Sequence, residues 1–203
     1  MSSPARRRTM RWTRRATSIS LARTSRSTRD WAVRGRTTSR NEIMNEEGCY
    51  ADLTAYTYRL APYSLSGVFN VGWVDIESTY PTGAVPAEFV ERLGEIVNSR
   101  GVFDGIVEPI RELPRCSVCG DVELRDSRGV VILNSELWIP FDGGVFASPI
   151  LILHYVECHS YCPPSEYVDT VLAWNGGVEF NGDSICRERL RNSDWFKSRK
   201  VRS

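Results

Sequence analysis

Cys116-Ser-Val-Cys119-Gly120 opens, and His154-Tyr-Val-Glu-Cys-His159 with Pro163-Pro164 closes, the stretch on which the reading of this chain turns. Two thiolates and two imidazoles satisfy a tetrahedral zinc ion, and each pair has a spacing in the usual range for such ligands. Gly120 directly after the second cysteine permits the tight turn that a zinc knuckle needs. Each pair alone is a weak signal. A lone Cys-x2-Cys can be a redox pair, and a lone histidine is most often a packed or solvated side chain. Together, and with these being the only 2 His in the chain, they point to one metal site.

Geometry limits which side chains can meet. On an ideal helix His154 and Cys158 stand at i and i+4 on one face, whereas His154 and His159 stand at i and i+5 and diverge by about 140°. His159 can join the site only where the last helical turn loosens before Tyr161 and the prolines. Cys158 is therefore a rival for the fourth place, and Cys162 a weaker one. A catalytic zinc would keep an open position and a general base such as Glu157. However, His-x-x-Glu-x-His is one residue longer than the inverted zincin string, so its helical phase is lost. A closed site of two Cys and two His leaves no position for substrate. A redox role would want the cysteines at a helix start after a strand, which residues 114–122 do not resemble.

Inside this stretch, Val130 to Leu133 and Glu136 to Ile139 read as a hairpin about Asn134-Ser135. Asp142-Gly143-Gly144 is a second turn. Ser148-Pro149 reads as the cap and first residue of a helix running from Ile150 to Tyr161, ended by Pro163-Pro164.

Upstream, Tyr50 to Leu60 alternates loosely and suits an edge strand or an extended arm. Gly67 to Asp75 reads as a buried strand, and Pro81-Thr-Gly83 as a turn. From Pro86, the residues Phe89, Val90, Leu93, Ile96 and Val97 recur as the apolar stripe of an amphipathic helix ending near Asn98 to Gly101. Glu88, Glu91, Arg92 and Glu95 take its solvated side. Downstream, Ser165 opens a short helix carrying Tyr167, Val168, Val171 and Leu172. The weak periodicity of residues 176–203 predicts a weakly ordered C-terminal tail. Cys49 and Cys186 are expected as free thiols.

The near-neutral net charge of +1 conceals an asymmetry: residues 1–40 hold twelve Arg and a single acid, Asp30, for +11, and the remainder carries −10. Residues 1–45 are Arg- and Ser-rich with no apolar period, so a disordered leader is expected. Its composition also fits a transit peptide, or a basic arm binding nucleic acid with Trp12 and Trp31 to stack. With 24 Arg to 2 Lys in the chain, an extension upstream of a native start at Met44 is the preferred expectation. The acidic remainder does not predict a nucleic-acid face. No apolar segment resembles a secretory h-region or a spanning helix, and six Cys without a signal suggest a reducing, cytoplasmic setting with no membrane partner.

Several strings together resemble a family of small uncharacterised bacterial proteins classed as a domain of unknown function. They are Asn70-Val-Gly-Trp73-Val-Asp75 with Pro81-Thr-Gly83, Phe89 and Leu93, Cys116-x2-Cys119, Ser135-Glu136-Leu137, and Ser148-Pro149 through His154-Tyr155-Val156, His159, Tyr161, Pro163-Pro164 and Tyr167. The resemblance spans roughly Tyr50 to Ala173. It implies that Cys116, Cys119, His154 and His159 form the ligand set, with His159 in the fourth place, and it supplies no activity. The chain departs from the family pattern at Arg115 and in Ile76 to Tyr80, which lacks an expected His.

The resulting expectation is an α+β domain over residues 46–175, with a small mixed or antiparallel sheet, two or three helices and a zinc-ribbon-like Cys-x2-Cys/His-x4-His site. A structural zinc in an interaction or adaptor module, its protein partner unidentified, is the first functional reading. A hydrolase-like metal-dependent enzyme, with zinc or the Asp75 region at a cleft, is the second, and nucleic-acid binding through the leader the third.

Overall fold

A computed structural model describes residues 49–126 and 128–200. The expectation of a disordered leader at 1–45, and the nucleic-acid reading built on it, lie outside the described residues. In chain order the elements are β1 (Val68–Asn70), α1 (Ala87–Asn98), β2 (Phe103–Asp104), β3 (Ile106–Val107), β4 (Arg115–Cys116), β5 (Gly120–Asp121), β6 (Leu124–Arg125) and β7 (Val131–Ile132). Then come β8 (Glu136–Phe141), β9 (Gly144–Pro149), α2 (Ile152–His159), α3 (Ser165–Ala173), β10 (Phe180–Asn181), α4 (Gly182–Asn192) and α5 (Asp194–Lys200).

The sheet grows from one hairpin. Strands β8 and β9 pair antiparallel from Glu136↔Pro149 to Phe141↔Gly144, so Asp142-Gly143 forms a two-residue loop in which Gly143 takes a φ of 108°. That left-handed geometry costs glycine little, which is why the dipeptide makes a hairpin turn. Leu137, Trp138, Ile139, Val145, Phe146 and Ala147 are all buried, as expected for central strands covered on both faces. Strand β1 adds in parallel to β9 and β3 antiparallel to β8, giving a mixed sheet in the order β1-β9-β8-β3. Helix α1 follows its sequence stripe: Phe89, Leu93, Ile96 and Val97 are buried, and the helix packs on α2 and α3.

The mixed α+β architecture with a small sheet is what the sequence implied; several local assignments differ. Ser148-Pro149 ends β9 instead of capping a helix. Ser148 is fully buried and in register with Leu137, and α2 begins only at Ile152. Pairing with β8 outweighs the local capping preference, and proline is tolerated because it sits at the strand terminus. The expected hairpin about Asn134-Ser135 is not formed. Val131–Ile132 pairs with Leu124–Arg125 instead, and β8 takes β9 as its partner.

Tyr50 to Leu60 is a chain of turns with a single bridge, Ala55↔Phe69, because Leu53 and Arg59 turn the backbone at φ 60° and 56°. The segment expected as a weakly ordered tail is structured. Phe180–Asn181 pairs in parallel with Phe103–Asp104, and the Phe180 and Phe103 rings stack at 5.4 Å. The Asn181 side chain caps α4 by accepting from the Ser184 amide at 2.8 Å, and Cys186 lies on the buried face of that helix. No helix among the described residues is long and apolar enough to cross a membrane.

Candidate metal centre

The two halves of the site come from unlike elements. Cys116 ends β4 and stands opposite Gly120 of β5, and Gly120 at φ 82° closes the loop that carries Cys119. This knuckle has two-residue strands and its tip residue Val118 is exposed. His154 lies within α2, and His159 is the last residue of that helix.

The end of α2 brings i and i+5 together. Ser160 adopts the left-handed conformation at φ 54°, and its N–H donates to the Tyr155 carbonyl, five residues back instead of four. The Tyr161 N–H donates to the same carbonyl at 3.1 Å. A turn widened in this way swings the His159 ring back toward His154, and their Nε2 atoms stand 3.2 Å apart.

His159 Nε2 also lies 3.3 Å from Cys116 Sγ and 3.4 Å from Cys119 Sγ. All four donor atoms fall within 4.8 Å of one another. Zinc bonds of about 2.0–2.3 Å give a tetrahedron whose edges are about 3.3–3.8 Å, and the three distances from His159 Nε2 lie close to that range. The Cys116, Cys119, His154 and His159 cluster can hold a metal ion. Cys116 and His154 are buried and Cys119 is exposed, which puts the site at the edge of the domain.

The local electrostatics suit a divalent cation. Desolvation, then the neighbouring Cys116 and Cys158, push the Cys119 thiol above its ordinary value. Burial, then the adjacent His159, push His154 below its ordinary value and keep it neutral. Neutral imidazole is the ligating form, and a bound cation would offset the charge of two crowded thiolates.

Of the sequence candidates, the structure leaves Cys158 and Glu157 exposed on α2 and outside the converging group. Cys162 packs instead beside Gly83, where an added Cβ would stand 3.3 Å from its sulfur. The six cysteines are all free, and the Cys-x2-Cys sits in a hairpin turn, not at a helix start as a redox pair would.

Other residues hold the site without touching a donor atom, and sequence reasoning assigned them no role. Tyr161 donates its hydroxyl to both oxygens of Asp52 at 2.9 Å, and Asp52 also accepts from the Gly72 amide at 2.8 Å. Burial raises the Asp52 pKa, and those two donors act against the shift. Tyr80 donates to the His159 carbonyl at 3.0 Å, while Thr82 bridges Tyr161 and the Gly83 amide donates to Ser160. Gly72 takes φ 76° and faces Ile152 so closely that an added Cβ would stand 2.9 Å from Cδ1. Strings far apart in sequence thus meet around the end of α2. Gly72, Thr82, Gly83 and Tyr161 had one advance signal, their joint presence in the family pattern, and Asp52 and Tyr80 had none.

No curated protein and no solved structure matches this chain. A family profile does match, over residues 49–172, from the first described residue to the last turn of α3. The span takes in β1, α1, the knuckle, the β8–β9 hairpin and all four converging donors, and on that match the chain belongs to the family described as Domain of unknown function (DUF7919).

Proposed function

We propose that this domain is an interaction module held together by a structural zinc ion on Cys116, Cys119, His154 and His159. The observation that carries the reading is the complete protein donor set, two Sγ and two Nε2 atoms within 4.8 Å of one another. Four protein ligands occupy every tetrahedral position, so the ion has no place for a substrate or an activated water. The knuckle also needs such a staple: strands of two residues with an exposed tip bury too little apolar surface to fix themselves. A cross-link from β4–β5 to α2 supplies what the local core lacks.

A binding role is supported by where apolar side chains reach solvent. Among the described residues, eight large apolar side chains are exposed, and five of them, Ile110, Leu113, Val118, Val130 and Leu133, belong to the segment around the knuckle and the β6–β7 hairpin, with Leu53, Val102 and Val178 elsewhere. Such concentrations of exposed apolar residues mark contact surfaces more often than scattered ones do. The hydrolase-like reading is weaker, because the groove containing Asp75 is lined by none of the four donor residues.

Removal of the metal by a chelator, followed by amide NMR, tests the proposal. The expected result is loss of dispersed signals from residues 114–122 and from the end of α2. An unchanged spectrum after complete metal removal would contradict a structural role.

A further inference from the structure

A groove of about 630 Å³ opens beside the end of α2, lined by Tyr50, Trp73 and Tyr80 and by Asp52 and the solvent-exposed Asp75. Its walls are fixed in place. The Trp73 indole N–H donates to the Ala147 carbonyl at 2.9 Å, the Tyr50 amide donates to the Trp73 carbonyl at 2.9 Å, and the Tyr80 hydroxyl is tied to His159. The Tyr50 ring stands nearly perpendicular to Trp73, at 88° and 6.0 Å between centroids. This is an edge-to-face contact within a cluster that also includes Tyr58, and it holds the rings of Tyr50 and Trp73 rigidly where they line the groove.

The charge in the groove has one sign. No Arg, Lys or His lines it among the described residues. Asp75 accepts from the Ser78 hydroxyl and the Glu77 amide, bonds that hold its carboxyl below the usual range and keep it ionised. The same aromatic cluster already receives a cation elsewhere: the Arg59 guanidinium lies over Tyr58 at 4.7 Å, and Tyr58 packs on Trp73 at 4.8 Å. Arg59 lines an adjoining recess that shares Trp73 with the groove, but it does not line the groove itself.

We propose that this groove binds a small organic cation of the alkylated ammonium class. Aromatic faces attract a cation that brings apolar surface with it, and the volume suits a small molecule. A metal ion would need several unengaged oxygen ligands, whereas both oxygens of Asp52 and both of Asp75 already accept hydrogen bonds. A guanidinium would call for a free carboxylate edge for paired bonds. An alkylated ammonium asks only for negative potential and aromatic surface, and the groove is lined by two carboxylates and three aromatic side chains. The proposal does not rest on the metal reading, since no donor of that site lines the groove.

The test titrates the full-length, metal-loaded protein with choline chloride. 3,3-Dimethyl-1-butanol, the neutral isostere of choline, and sodium chloride at matched ionic strength serve as controls. The readout is the indole N–H resonance of Trp73, assigned by its loss in Trp73→Phe. Choline is expected to shift that resonance and to bind about tenfold more tightly than the neutral isostere, the factor of a partly desolvated cation–π contact. Asp75→Asn, which keeps the local turn because asparagine also accepts from the Glu77 amide, is expected to weaken choline about threefold and leave the isostere unchanged. Equal binding of choline and its isostere would overturn the proposal. So would a Trp73 resonance that responds to choline no more than to sodium chloride, or an unchanged choline affinity in Asp75→Asn.

Discussion

Replacing Glu136 with glutamine isolates one buried ionisation. Glu136 opens β8 and is almost fully buried, with one oxygen accepting from the Tyr56 hydroxyl and the other from the Trp138 indole N–H, both at 2.8 Å. Burial is the main cause that moves its pKa from 4.5 up to about 7, with the two hydrogen bonds and Arg59 opposing and Glu108 assisting. Between those two values the native state keeps a proton that the unfolded chain has released. Stability therefore falls as pH rises through that window, by about 3 kcal/mol at 1.36 kcal/mol for each pKa unit. Above the folded pKa both states are ionised and the loss is complete.

Glutamine mimics the protonated acid: its carbonyl accepts from Trp138, and its amide donates to a Tyr56 hydroxyl that reverses its role. Urea unfolding of the metal-loaded wild type and Glu136→Gln from pH 4.5 to 8.5 measures the difference. Titrations of the metal ligands are common to both and cancel. The variant is expected to gain on the wild type as pH rises to about 7 and to level off above it, by about 3 kcal/mol across the range. A difference that stays flat within about 0.5 kcal/mol would refute the reasoning, and would mean that Glu136 is ionised in the native state throughout.

Gly72→Ala should destabilise the domain by about 1–3 kcal/mol in urea unfolding, because φ 76° is a left-handed conformation and the added Cβ presses on Ile152. An unchanged midpoint would show that the start of α2 can yield there. His159→Ala should weaken zinc binding more than about 100-fold in a competition assay, beyond the loss typical of outer partners, while Cys158→Ala should change it less than about threefold. Equal losses in the two variants would return Cys158 to the ligand set.

What could be read from the sequence followed from local chemistry. The stripe Phe89, Leu93, Ile96 and Val97 specified α1 because a 3.6-residue period has one physical outcome on a half-buried helix. The four donors were legible because their residue types and spacings answer the same ion, and the loosening needed for His159 was inferable from the prolines that follow. What failed depended on partners distant in sequence. Ser148-Pro149 has the local chemistry of a helix start, yet register with Leu137 claims it for a strand. Phe180 and Cys186 showed no period because two-residue pairing with Phe103 and the buried face of α4 order that segment. Still, Asn181 three residues before Ser184 was a capping signal within reach. Asp52 and Tyr161 lie too far apart along the chain for any pattern to couple them.

Elemental analysis of the full-length protein purified without chelators tests the central claim most directly. The account predicts one zinc per chain, lost together in Cys116→Ser and His159→Ala. A content below about half an equivalent in the wild-type protein, when zinc is supplied, would contradict it.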